Sequence, residues 1–225
     1  MSQEKSKTIQ ITENEMNKIE GTLTIPDKGT HIKGIVIFAH GSGSSRFSPR
    51  NKYVAQILNR ANIATLLIDL LTREEERVDD ITREHRFDIG LLARRLVSCA
   101  EWVRQNPEVK DLRIGYFGAS TGAAAALVAA AAVPIISAIV SRGGRPDLAG
   151  DEVLSRIEAP TLLIVGENDE EVITLNQGAL EGLTKIEGKK KMVVVPGATH
   201  LFEEPGTLEE VARHATSWFE RYFLE

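Results

Sequence analysis

Seven short apolar runs punctuate the chain, at residues 21–25, 34–39, 63–69, 112–117, 135–140, 161–165 and 191–195. They are too short for buried helices and rich in Val, Ile and Leu, as strands covered on both faces must be. Helical patterns at 49–60, 85–105, 120–133, 147–157, 172–183 and 207–223 alternate with them. That alternation predicts an α/β architecture, a mostly parallel central sheet with helices on both faces. It also fixes where chemistry can sit, because ligands of open α/β sheets bind beyond the carboxyl ends of the strands. At 225 residues and 42% hydrophobic content the chain can fill one sizeable core, so residues 1–225 are expected to form a single domain. The longest connection, 70–84, is a charged run expected to be solvated surface, and none is long enough for a separate lid domain.

Gly118-Ala119-Ser120-Thr121-Gly122 falls between the run at 112–117 and an alanine-rich helix former. This is the strand-turn-helix setting of a nucleophile elbow, G-x-S-x-G, which pushes a serine out of the sheet into a cleft. Both glycines have a steric reason, since the turn is so tight that a side chain at either place would strike the neighbouring backbone.

A serine hydroxyl needs a base to take its proton, and the base needs an acid to fix its tautomer. The run at 161–165 ends in Gly166-Glu167-Asn168-Asp169, which puts Asp169 on a loop beyond a buried strand as the expected acid. The run at 191–195 ends in Pro196-Gly197-Ala198-Thr199-His200, which makes His200 the expected base. Nucleophile, acid and base thus follow one another in chain order as they do behind other nucleophile elbows. His40-Gly41-Ser42-Gly43 follows the run at 34–39. A loop there can donate a backbone N–H to the oxyanion, the second donor being the residue after the nucleophile. Ser42 and Thr121 are the expected pair. A phosphate cradle is the competing reading of these glycines, but a third glycine at the fingerprint spacing and a Gly-Lys-Ser/Thr are both missing.

On His40 to Gly43, Gly118 to Gly122, Gly166 to Asp169 and Gly197 to His200, the chain resembles the α/β-hydrolase superfamily, and within it the small dienelactone-hydrolase-like proteins. The resemblance runs from Ile35 through the last helix and implies an α/β-hydrolase fold without a lid. Dienelactone hydrolases proper carry cysteine at the elbow, where this chain has Ser120.

Other residues have plainer readings. Cys99 shares a helical face with Leu92, Leu96 and Val103, which suits core packing, and a single cysteine permits no internal disulfide. His40 is expected to brace its loop rather than shuttle protons, and no histidine pair has metal spacing. Arg46 and Arg50 follow one strand and Arg142 and Arg145 another, so guanidinium groups can reach the carboxyl-end rim. Arg46 and Arg142 are candidate substrate-binding residues for a carboxylate or phosphate, Arg142 the better one because two glycines follow it. The alternative is that these arginines pair with acids such as Asp147 or Glu74-Glu75-Glu76 and only hold loops together.

A net charge of −5 argues against nucleic acid or acidic lipid as partner. Residues 1–20 are polar with no apolar core of a signal peptide, which points to a cytoplasmic protein. Residues 123–140 lack charge, but Pro134 divides them and a membrane span is not expected. The reading is a serine hydrolase acting on a small to medium ester or lactone, with no metal or organic cofactor implied and no oligomeric state specified. A peptidase or acyl transferase could use the same three residues, and a non-catalytic ligand-binding protein could use the same scaffold.

Overall fold

The computed structural model describes residues 5–13, 17–27 and 31–225, so residues 1–4, part of the stretch read for a leader, lie outside the described residues. Eight strands form one sheet: β1 (Lys5–Thr12), β2 (Lys18–Ile25), β3 (Gly34–Ala39), β4 (Ile63–Ile68), β5 (Ile114–Ala119), β6 (Ile136–Arg142), β7 (Thr161–Gly166) and β8 (Lys190–Val195). Their order across the sheet is β1-β2-β4-β3-β5-β6-β7-β8. The first two are antiparallel to their neighbours and all other pairs are parallel. Strands β3, β4, β5 and β7 are buried at every position, which is why they read as unbroken apolar runs.

Helices α1 (Pro49–Arg60) and α7 (Thr207–Leu224) cover one face, where Val54, Leu58, Val211 and Phe219 share a core with Phe38 and Phe117. On the other lie α3 (Ile89–Gln105), α4 (Thr121–Ala132), α5 (Asp151–Leu154) and α6 (Glu170–Gly182), whose Leu96, Leu127, Leu154 and Ala179 pack on Ile35, Ile37 and Tyr116. Helix α4 is buried nearly all round, and its alanines let α3 and the sheet close on it. From β3 the chain turns through α1 to β4 on one side, then returns by α2 (Arg73–Thr82) and α3 to β5 on the other. Helices α1 and α4 therefore leave β3 and β5 toward opposite faces. The crevice between those two carboxyl ends is the switch point where such sheets bind ligands.

Four expectations change. Strand β1 has no counterpart among the seven expected strands, because only Ile9 and Ile11 mark its alternation. The charged run 70–84 is mostly exposed but holds α2, started by a capping box between Thr72 and Glu75. Helix α3 begins at Ile89 rather than at 85, because the Asp88 carboxylate caps the Leu91 N–H at 2.9 Å. The helix expected over 147–157 is a 3₁₀ turn and the short α5, broken at Gly150, where φ is 83°. No helix among the described residues is long and apolar enough to cross a membrane.

Candidate active site

Ser120 lies between β5 and α4 with φ 51° and ψ −121°, a conformation that costs a non-glycine residue about 1–3 kcal/mol. Three backbone hydrogen bonds hold it there. Its N–H donates to the Arg142 carbonyl at 3.2 Å, and its own carbonyl accepts from Ala123 at 3.0 Å and Arg145 at 3.2 Å. The glycines are forced as the elbow requires: a Cβ at Gly118 would collide with the Ala123 backbone, and one at Gly122 with the carbonyls of Ala39 and His40. A Cβ on Gly41 would lie 3.2 Å from that of Ser120, so the loop after β3 presses directly on the serine.

His200 and Asp169 meet as the sequence suggests, Nδ1 of the imidazole donating to Oδ2 at 2.6 Å. In the neutral ring that bond fixes the tautomer with the proton on Nδ1, which makes Nε2 the acceptor. Glu167, the other carboxylate on the same loop, is engaged elsewhere and accepts the Gly197 N–H at 2.8 Å. The two loops are further tied by Asn168, whose backbone N–H donates to Ala198 at 2.9 Å and whose side-chain amide donates to Gly197 at 3.1 Å. Beyond His200, Thr199 is bound to the Glu204 carboxylate through both N–H and hydroxyl, and Phe202 is buried with φ 56°. Gly143, at φ 51°, passes so close that a Cβ there would lie 3.5 Å from the His200 ring.

Ser120 and His200 line one cleft of about 240 Å³, together with Gly41, Ser42, Ser44 and Arg142. Thr121 is the first residue of α4, where helix geometry leaves N–H groups unpaired. On the other side His40 orients the loop. Its Nε2 accepts the Leu70 N–H at 3.0 Å, so Nδ1 carries the proton and donates to the Gly41 carbonyl at 2.9 Å. A planar trans peptide points the next N–H the opposite way, so this bond sets the direction of the Ser42 N–H. Burial pushes the His40 imidazole below its ordinary pKa, outweighing the Gly41 carbonyl, and a second proton is disfavoured.

The arginines divide. Arg46 does not line the cleft: its guanidinium is paired with Asp69 and with Glu20, the latter at 2.8 Å, so its candidacy as a substrate ligand gives way to a structural one. Arg145 is likewise held by Asp147 at 2.7 Å. Arg142 lines the cleft, and so do Arg50, Ser48 and Asn51 from the start of α1. Phe202, whose ring lies 5.9 Å from the Arg142 guanidinium, left no sequence signal, since an aromatic residue with positive φ is set by its surroundings.

The family model for the dienelactone hydrolase family matches residues 19–223. A putative phosphoribosyl transferase of Mycobacterium tuberculosis, found alike in two strains, is 58% identical over 202 residues. Those residues are 89% of this chain and 43% of the relative, so the chain spans less than half its length. The crystal structure of a dienelactone hydrolase from Anabaena variabilis superposes with a TM-score of 0.92 at 55% identity, covering 98% of this chain and 99% of that one. Est1E from Butyrivibrio proteoclasticus gives 0.79 at 16% identity over 97% and 99%, a likeness of fold. With a family match over nearly its whole length and a full-length structural relative at 55% identity, this chain belongs to the dienelactone hydrolase family of α/β-hydrolases.

Proposed function

We propose that the protein is a serine hydrolase that cleaves a small to medium carboxylic ester or lactone through an acyl-enzyme. The observation that carries this reading is the strained Ser120 facing the same cleft as His200, whose Nδ1 is held by Asp169 at 2.6 Å. Ser120 Oγ attacks the acyl carbonyl while His200 Nε2 takes its proton, and the Ser42 and Thr121 N–H groups receive the charge that forms on the carbonyl oxygen. Collapse of that intermediate expels the alkoxide, which His200 protonates. Water, deprotonated by the same imidazole, then releases the acid and restores the serine. The name of the mycobacterial relative describes a protein of which this chain spans 43%, whereas the three residues above are complete within this chain.

A fluorophosphonate probe tests the reading, because it labels an activated serine only. Wild type should be labelled and Ser120→Ala should not, and wild type should release acid from at least one of a panel of esters graded by chain length and charge. Labelling with no ester turnover would favour an amide or thioester substrate. A wild type that resists the probe would leave a ligand-binding protein on a hydrolase scaffold.

A further inference from the structure

One end of the cleft is cationic and nothing in the ester reading uses it. Arg142, the last residue of β6, is 7% exposed, and its Nε and Nη1 are sealed from water with no hydrogen-bond partner among the described residues. A buried cation without an anion is costly. Its compensation here is the face of Phe202 at 5.9 Å, a weak one. Burial, with Arg50 adding its repulsion, brings the Arg142 guanidinium down to about 10. Arg50 itself meets Glu203 at 3.0 Å on the outer rim, and its Nε is buried without a partner. Two arginines with unmatched N–H groups thus converge on one cleft, and no carboxylate among the described residues lines it.

Helix α1 adds to the same end. Ser48 caps it by accepting the Asn51 N–H and Pro49 carries no N–H, so where Arg50 and Asn51 wall the cleft this helix of twelve residues adds the positive end of its dipole rather than a row of free donors. Across the loop at residues 41–44 lies a second cavity of opposite character, lined by Asp69, Glu76, Asp79 and Asp80 with Arg86 as its cation. An anionic group is therefore drawn to one side of Ser120 and repelled from the other.

We propose that the Arg142–Arg50 end of the cleft binds a phosphate group borne by the substrate, so that Ser120 cleaves an ester of a phosphorylated molecule whose phosphate is retained. Two guanidinium groups and a helix start approach from two different elements of the fold. That arrangement suits a tetrahedral dianion, with an oxygen for each donor, better than a planar monoanion. The substrate class rests on the ester reading above; the anion site does not.

The test uses acetate esters of three alcohols of matched length that end in phosphate, carboxylate or hydroxyl, followed by acetate release. The phosphate ester should exceed the hydroxyl ester in kcat/KM by about tenfold or more and should also exceed the carboxylate ester, and Arg142→Gln or Arg50→Gln should each erase most of that ratio. Arg213→Gln, an exposed arginine of α7 that pairs with Glu210 and does not line the cleft, should keep the wild-type ratio. In parallel, calorimetry with inorganic phosphate on Ser120→Ala should give binding that weakens about tenfold or more when Arg142→Gln is added. Equal rates for all three esters, a carboxylate ester that matches or exceeds the phosphate ester, or phosphate binding indifferent to both arginines would overturn the proposal. Arginine-dependent phosphate binding without turnover of any ester would keep the site and remove the ester chemistry instead.

Discussion

Ser120 holds its strained conformation because the backbone around it is over-determined, and the residues that serve it can be separated by substitution. Ser120→Ala should lower kcat by about 10⁴- to 10⁶-fold and Asp169→Asn by about 10⁴-fold with the fold intact, since such residues act as a unit. Glu167→Gln should retain most turnover, because that carboxylate holds Gly197 rather than the imidazole. Steady-state rates on one activated ester compare all three, and a severe loss in Glu167→Gln with a mild one in Asp169→Asn would exchange their roles. His40 gives a pH prediction. Its folded pKa is depressed by burial, so below the unfolded value of about 6.5 the unfolded chain binds more protons. Its contribution to stability is full above that value and is lost as pH falls toward the folded pKa. Urea unfolding of wild type and His40→Gln from pH 8 to pH 5 should show a steeper acid decline in wild type, and parallel curves would refute a neutral buried imidazole. The glycines of the elbow were legible because only one residue type fits the crowding. The division between Arg46 and Arg142 was not, because it depends on Glu20 and Asp69 arriving from other strands.

Among the elements, those whose cause is local were readable and those whose cause is distant were not. The apolar strands β3 to β8 announce themselves by composition, and α1 by its Ser48-Pro49 start. Helix α2 does not, being mostly charge. Thr72 and Glu75 at capping-box spacing were its one visible mark, and the rest of its hold is tertiary. Glu75 reaches back to Arg95 of α3 at 2.6 Å, and Glu13, just past β1, meets the same fully buried guanidinium at 2.7 Å. This one arginine joins an edge hairpin, α2 and α3. Glu75→Ala leaves it half-paired in the interior and should cost about 3 kcal/mol, read as a lower denaturation midpoint. A change within error would mean that water replaces the lost carboxylate and that α2 is tied down by other contacts.

For the molecule as a whole, packing and chemistry occupy opposite ends of the same strands. Near the start of β3 and β5, α7 lies so close that a Cβ on Gly34 would strike the Phe223 ring and one on Gly115 the Phe219 ring. Gly115→Ala should therefore destabilise by about 1–3 kcal/mol through overpacking while the turnover of the folded fraction stays near wild type. Thermal unfolding and active-site titration separate the two effects, and a fall in specific activity per labelled serine would show that strain at that end reaches the cleft. At the other end, the loops bearing Asp169 and His200 are fastened to each other by Glu167 and Asn168, and both follow the last two strands of the sheet. Ser120 follows β5, well inside it. Asp169 and His200 are therefore tied directly to each other, while Ser120, the proposed nucleophile, sits two and three strands away from them. Of the strands that carry them, β8 is paired along one side only. Mild warming should therefore loosen β8 and the His200 loop first, so that turnover on warming falls at a lower temperature than the circular-dichroism signal of the sheet, and a coincident loss of both would refute it.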